Sequence, residues 1–92
     1  MKAKIAIERG TEIVEIIEQF AIRDRVFFAH EIWGGHAVSD FLTGRRLCSI
    51  VGFDSLAVVW AEAEMIINKV PDGKWKSAFK SVPEINEPIN IF

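Results

Sequence analysis

A single cysteine, Cys48, excludes any internal disulfide, so the expected compartment is a reducing one. Long apolar runs are also missing. The opening MKAKIAIERG carries Lys2, Lys4, Glu8 and Arg9 and holds no apolar signal segment. The longest uncharged apolar stretch is far short of a membrane span. The expectation is a cytoplasmic protein with no membrane partner. An excess of either charge is missing too. The net charge is −2 with both signs mixed along the chain, which gives no bulk pull toward nucleic acid or anionic lipid. There is no repeat, linker or low-complexity tract. Neither Cys-x-x-Cys nor His-x-x-x-His occurs. Gly34-Gly35 precedes a strand-like run rather than a helix with a lysine. No metal, cofactor or phosphate loop is therefore expected.

What is present is core material. Half of the 92 residues are hydrophobic, with seven Phe and three Trp, and 26% are charged. That balance is globular and fits one domain, expected over residues 1–82, with 83–92 as a tail. So many large apolar groups in so short a chain also point to self-association.

Hydrophobic periodicity divides the chain. Residues 2–8 alternate as a half-buried strand. Arg9-Gly10 breaks it, and Thr11 is a good helix N-cap. Ile13, Ile16, Ile17, Phe20 and Ala21 then recur at helical spacing, with Glu12, Glu15 and Glu18 on the other side. The spacing predicts a helix over 11–23. From Arg25 the runs RVFFAHEIW, HAVSDFL and RRLCSIV are separated by Gly34-Gly35 and Thr43-Gly44. These are hairpin signals, and they predict a meander over about 25–33, 36–42 and 45–51. Two-residue turns at those pairs set His30, Ser39 and Cys48 in a row on the core face. Phe27, Trp33, Val38 and Leu47 then lie on the opposite, uncovered face. Asp54 or Ser55 caps a second helix, carried by Leu56, Val59, Trp60, Ala63, Ile66, Ile67 and Val70 and stopped by Pro71-Asp72-Gly73. KWKSAFK reads as a short helix. The tail from Pro88 alternates and suits an edge strand. The expected fold is α+β, a two-layer sandwich ordered β-α-β-β-β-α, with a short C-terminal helix and a tail. The antiparallel meander lies under two helices.

Three groups bear on chemistry. A cysteine beside a histidine is the minimum for an activated thiolate, so Cys48 with His30 defines a thiol-enzyme reading. The plainer reading is a buried histidine bonded to Ser39 beside a small apolar thiol. The stripe Glu12, Glu15 and Glu18 is either a solvated face or a surface for a basic partner. Lys74, Lys76 and Lys80 with Trp75 and Phe79 either meet phosphate or cap the core, and capping is the commoner use.

HAVSDFLTGRR resembles the recognition helix and following turn of Cro/repressor-type helix-turn-helix proteins. The resemblance implies a first helix over Asp24–Ile32. It sets Val38 with Phe41 or Leu42 in the core, His36, Ser39 and Asp40 toward the major groove, and Arg45 and Arg46 on phosphates. The expected element order is also similar to the helix–three strands–helix layout of double-stranded-RNA-binding domains. Where that family opens its second helix with lysines, this chain has Gly52, Phe53, Asp54 and Ser55.

The reading that follows is a non-enzymatic binding or regulatory module acting on a protein partner, of the inhibitor type used by phages and mobile elements. It is expected to be a homodimer. Trp33, Leu47, Ile89, Ile91 and Phe92 are its apolar interaction candidates, and Glu12, Glu15 and Glu18 its charged ones. Sequence-specific DNA binding is the alternative, and a thiol-dependent enzyme the third.

Overall fold

The computed structural model describes residues 1–87. Ile89, Ile91, Phe92 and the predicted edge strand lie outside the described residues. The elements are β1 (Lys2–Ile7), β2 (Gly10–Glu15), β3 (Glu18–Ile22), β4 (Arg25–Ile32), β5 (Gly35–Asp40), β6 (Arg46–Val51), α1 (Ser55–Lys69) and α2 (Asp72–Ala78). β1 and β2 form a hairpin. β3, β4, β5 and β6 form a four-stranded antiparallel sheet in sequence order. The fold is α+β.

The helix predicted over 11–23 is not formed. Lys2 faces Glu15 and Ile7 faces Gly10, so Glu8-Arg9 is a two-residue hairpin turn and Thr11 is a strand residue, not a cap. A second tight turn, Arg23-Asp24, joins β3 to β4, with Arg23 in the left-handed region at φ 58°. Thr11, Ile13, Val14, Ile16, Ile17 and Ile22 are β-branched, and such side chains lose rotamer freedom in a helix while fitting a pleated strand. Glu12 and Glu15 therefore stand on β2 and Glu18 on β3, and the acidic stripe does not exist as one helical face.

The meander is present, with its turn one residue early. Ile32 pairs with Gly35, His30 with Ala37 and Phe28 with Ser39, so the turn is Trp33-Gly34. The register slips by two, which preserves the side-chain faces. β6 breaks that parity. Val38 faces Cys48 and Ser39 faces Arg46, which leaves Leu47 as the extra residue of a bulge.

Both faces of the sheet are covered. On one, Phe27, Ala29 and Val38 pack beneath Val59, Ala63 and Ile67 of α1 and Trp75 of α2. On the other, Phe28 and Phe41 pack against Ala3 and Ile5 of the hairpin. The helices thus sit on the face expected to be open, and the hairpin adds a layer to the two foreseen. Leu47 packs half-buried against the helix-side core and is not an exposed contact.

The beginning of the tail is tied down. Ile85 and Asn86 N–H both donate to the Leu42 carbonyl, at 2.8 and 3.1 Å. The Asn86 amide meets the Lys4 backbone twice, accepting at 2.9 Å and donating at 2.8 Å, as a neighbouring strand would. α2 closes the helix layer. Trp75 is buried and donates through Nε1 to Asp24 Oδ1 at 2.6 Å, which holds the Asp24 carboxyl below its usual value. Arg25 lies 3.6 Å from the Phe79 ring centroid, while Lys74, Lys76 and Lys80 stay exposed. KWKSAFK therefore caps the core. Among the described residues no helix is long and apolar enough to cross a membrane.

Candidate interaction surface

The β6 bulge separates the residues that suggested thiol chemistry. Cys48 turns toward α1, with Sγ 3.6 Å from the Val59 carbonyl, and burial pushes its thiol up to about 11. His30 faces the hairpin side, ring against ring with Phe28 at 5.7 Å. Its Nδ1 lies 3.1 Å from the Glu31 carbonyl and its Nε2 lies 3.3 Å from Ser39 Oγ. A carbonyl only accepts, so Nδ1 carries the proton and Nε2 accepts from the serine hydroxyl. The neutral ring is fully bonded, and burial lowers its pKa from 6.5.

Two results are expected from this. At pH 8 a thiol titrating near 11 is about one-thousandth thiolate, against roughly a quarter for a free one. Alkylation of native Cys48 should run at least about a hundredfold slower than in denaturant. Native labelling within a fewfold of the denatured rate contradicts this placement. For His30, the lowered folded pKa makes the unfolded chain bind the extra proton first. Its contribution is whole above about 6.5 and is lost as pH falls toward the folded value. Urea midpoints should fall between about pH 7.5 and pH 5, and His30→Gln should flatten that slope. Equal slopes in both proteins overturn the assignment.

The helix-turn-helix expectation fails on secondary structure, because residues 25–32 and 35–40 are strands. Ser39 is buried, and His36 is half-buried with Nδ1 2.6 Å from Ser55 Oγ. Arg45 and Arg46 are exposed beyond β5, beside Glu8, Gly10 and Thr11 of the hairpin. No recognition helix carries the four. Glu15 meets the N-terminal ammonium at 3.3 Å, Glu18 accepts the Trp60 indole N–H at 2.6 Å, and Glu12 is exposed. These acids do not converge on one surface.

Aromatic exposure converges instead at one end of the sheet. Trp33 is 98% exposed in the β4–β5 turn and Phe53 101% exposed in the β6–α1 loop. The two loops are tied together before Phe53, where Gly52 N–H donates to the Gly34 carbonyl at 2.9 Å, and after it the His36–Ser55 bond joins β5 to the first residue of α1. The backbone is bent at both neighbours of Phe53, with φ 115° at Gly52 and 56° at Asp54. Positive φ costs glycine little, and aspartate tolerates it better than most residues. Val51, 71% exposed, borders the same loops. Trp33 was legible as an interaction candidate. Phe53 was not, because a Gly-Phe-Asp-Ser stretch before a helix reads only as a break and a cap.

Among the described residues no group of three or more His, Cys, Asp or Glu is placed to hold a metal ion. No protein-family model matches the chain, and neither a curated protein nor a solved structure matches it. The chain is a small α+β domain with a helix layer and a hairpin layer on one four-stranded sheet.

Proposed function

We propose that this domain is a protein-binding module whose contact site is the Trp33–Phe53 tip. The observation that carries the reading is the full exposure of two large aromatics on loops held by cross-ties. Burying each would release roughly 1.5–3 kcal/mol of transfer free energy, more than an isolated surface side chain has reason to leave in water. Aromatic anchors on an ordered backbone lose little entropy on binding, and such groups dominate interface energetics. Glu31 and Asp54 stand exposed nearby, so the fitting partner offers an apolar pocket with neutral or basic surroundings.

The test separates binding from folding. Because Trp33 and Phe53 are nearly bare, Trp33→Ala with Phe53→Ala should change stability by less than about 0.5 kcal/mol per site. A protein captured by the natural chain and identified should bind the double variant at least about thirtyfold more weakly, the scale of a hot-spot loss. Equal capture by both overturns the reading. Partition of the natural chain into neutral lipid vesicles, abolished in the variant, also overturns it and reassigns the tip to a membrane surface.

A further inference from the structure

The sheet ends at β3, and the ladder shows which backbone groups that edge presents. Phe41 N–H donates to the Val26 carbonyl at 2.9 Å, continuing the β4–β5 ladder. In an antiparallel ladder the direction of the amides alternates, so even-numbered residues of β4 turn toward β5 and odd-numbered ones toward β3. Their partners on β3 are Glu18 opposite Ala29, Phe20 opposite Phe27 and Ile22 opposite Arg25. Gln19 and Ala21 therefore turn their N–H and C=O groups outward. Among the described residues no strand pairs with that side.

Other edges are guarded. β1 is met by the Gly44 carbonyl, which accepts from Ala6 N–H at 2.9 Å, and by the Asn86 amide on Lys4. β6 is bulged at Leu47 and begins with an exposed arginine. β2 exposes Ile13 but flanks it with the exposed charges of Glu12 and Glu15. β3, with the sequence EQFAI, has no lysine, proline or bulge of the kind that blocks edge pairing. It also borders a mainly apolar groove of about 490 Å³ lined by Phe20, Ile22, Ala57, Trp60 and Ala61, with Glu64 as its one charged member. Phe20 is 53% exposed and meets Trp60 edge to face at 5.0 Å. Gln19 Oε1 is cut off from solvent and has no hydrogen-bond donor among the described residues.

We infer that the β3 edge is where a second copy of this chain pairs, antiparallel and two-fold symmetric about Phe20. That register sets outward-turned Gln19 opposite Ala21 of the other copy, so both hydrogen-bonded positions are filled by groups already aimed at them. It sets Glu18 opposite Ile22, and no like charges oppose each other. It brings Phe20 against Phe20 on the helix side, where each ring extends the other copy's Trp60 groove. The edge complements itself, which a two-fold contact requires and which an unrelated partner would have to match by accident. A five-residue edge with one aromatic cluster is small, so the dimer is a micromolar one. Neighbouring antiparallel strands reverse direction, so the dimer carries its Trp33–Phe53 tips at opposite ends of an eight-stranded sheet. The inference does not depend on what those tips bind.

Sedimentation of the full chain from micromolar to hundreds of micromolar should show a concentration-dependent dimer. Ala21→Pro removes only an outward N–H and should weaken that dimer at least about tenfold while circular dichroism is unchanged. Phe20→Lys should do the same by setting two ammonium groups face to face. The Trp33→Ala, Phe53→Ala variant should dimerise as the natural chain does. In the natural chain, Gln19 and Ala21 amides should exchange slowly at high concentration and fast at low, a readout that stands even where a variant folds poorly. A monomer throughout the range overturns the inference. So does a dimer indifferent to both edge variants, a dimer lost only in the tip variant, or amide exchange at Gln19 and Ala21 that ignores concentration.

Discussion

Asp40→Ala should destabilise the domain by about 3–5 kcal/mol, a large share of the roughly 5–15 kcal/mol that holds a domain of this size. Asp40 is 2% exposed at the end of β5. Its Oδ1 accepts from Arg25 Nε and its Oδ2 from Arg25 Nη2, both at 2.7 Å, a planar two-point match of guanidinium and carboxylate. Oδ2 also accepts from the Thr43 backbone N–H at 3.0 Å and the Thr43 hydroxyl at 2.7 Å. Four donors thus converge on one carboxylate. Deleting it strands a largely buried guanidinium beneath Phe79 and unpins the β5–β6 loop at its first turn. That loop also bonds β1 through the Gly44 carbonyl, so the loss spreads to the hairpin layer. Asp40→Asn keeps the shape but turns an amide donor toward other donors, and it should cost nearly as much. Arg25→Met with Asp40→Leu removes both charges and should recover part of the loss, because the penalty lies in the unpaired ion rather than in the missing attraction. Urea denaturation of the four proteins decides it. A loss under about 1 kcal/mol in Asp40→Ala would show that the pair is dispensable.

The strand at 2–8, the meander and the second helix were legible and the stretch from Thr11 to Ile22 was not, for a reason visible in particular residues. α1 announces itself because Leu56, Val59, Trp60, Ala63, Ile67 and Val70 keep one spacing and answer to one core. Between Thr11 and Ile22 the apolar residues answer to two. Val14 and Ile16 face the hairpin-side core, Ile22 the helix-side core, and the chain passes from one layer to the other near Ile16-Ile17. Two short alternations in different layers, laid end to end, imitate the spacing of a helix. Their β-branched content was the local sign against that reading. The candidate site divides in the same way. Alternation marks Trp33 as an exposed strand residue on the open face, and the two-residue slip of the β4–β5 register carries it into the turn instead. Phe53 depends on how two loops meet across the sheet, and no local pattern encodes that. Cys48 and His30 were set apart by one extra residue, Leu47, opposite a ladder whose partner strand alone reveals the bulge.

Gly35→Ala should cost about 3 kcal/mol or more, while Gly34→Ala should cost only about 1–2 kcal/mol. Alternation in the sequence ranks the two glycines alike, as the paired residues of one primed turn. Their surroundings differ. Gly34 occupies the second turn position at φ 76°, where an alanine is strained, yet the nearest atom to its Cβ would be Val51 Cγ1 at an ordinary 3.4 Å. Gly35 has no positive φ and already belongs to β5, paired with Val51 of β6. A Cβ there would run into the Ile50 carbonyl oxygen and stand 2.8 Å from Val51 Cα, and both are backbone atoms. No rotamer relieves such a contact. Either β5 and β6 separate at their first pair or the turn rebuilds. Separation also pulls Gly52 from the Gly34 carbonyl, the tie that joins the Phe53 loop to the Trp33 turn. The Gly52 amide of the Gly35→Ala protein should therefore exchange much faster than in the natural chain, even where the rest of the sheet persists. In Gly34→Ala it should stay protected. Chemical denaturation ranks the stabilities and amide exchange reports the tie. If the two changes prove equally costly, the turn lies at 34–35 as alternation alone suggests, and the β4–β5 register with its projecting tip is wrong.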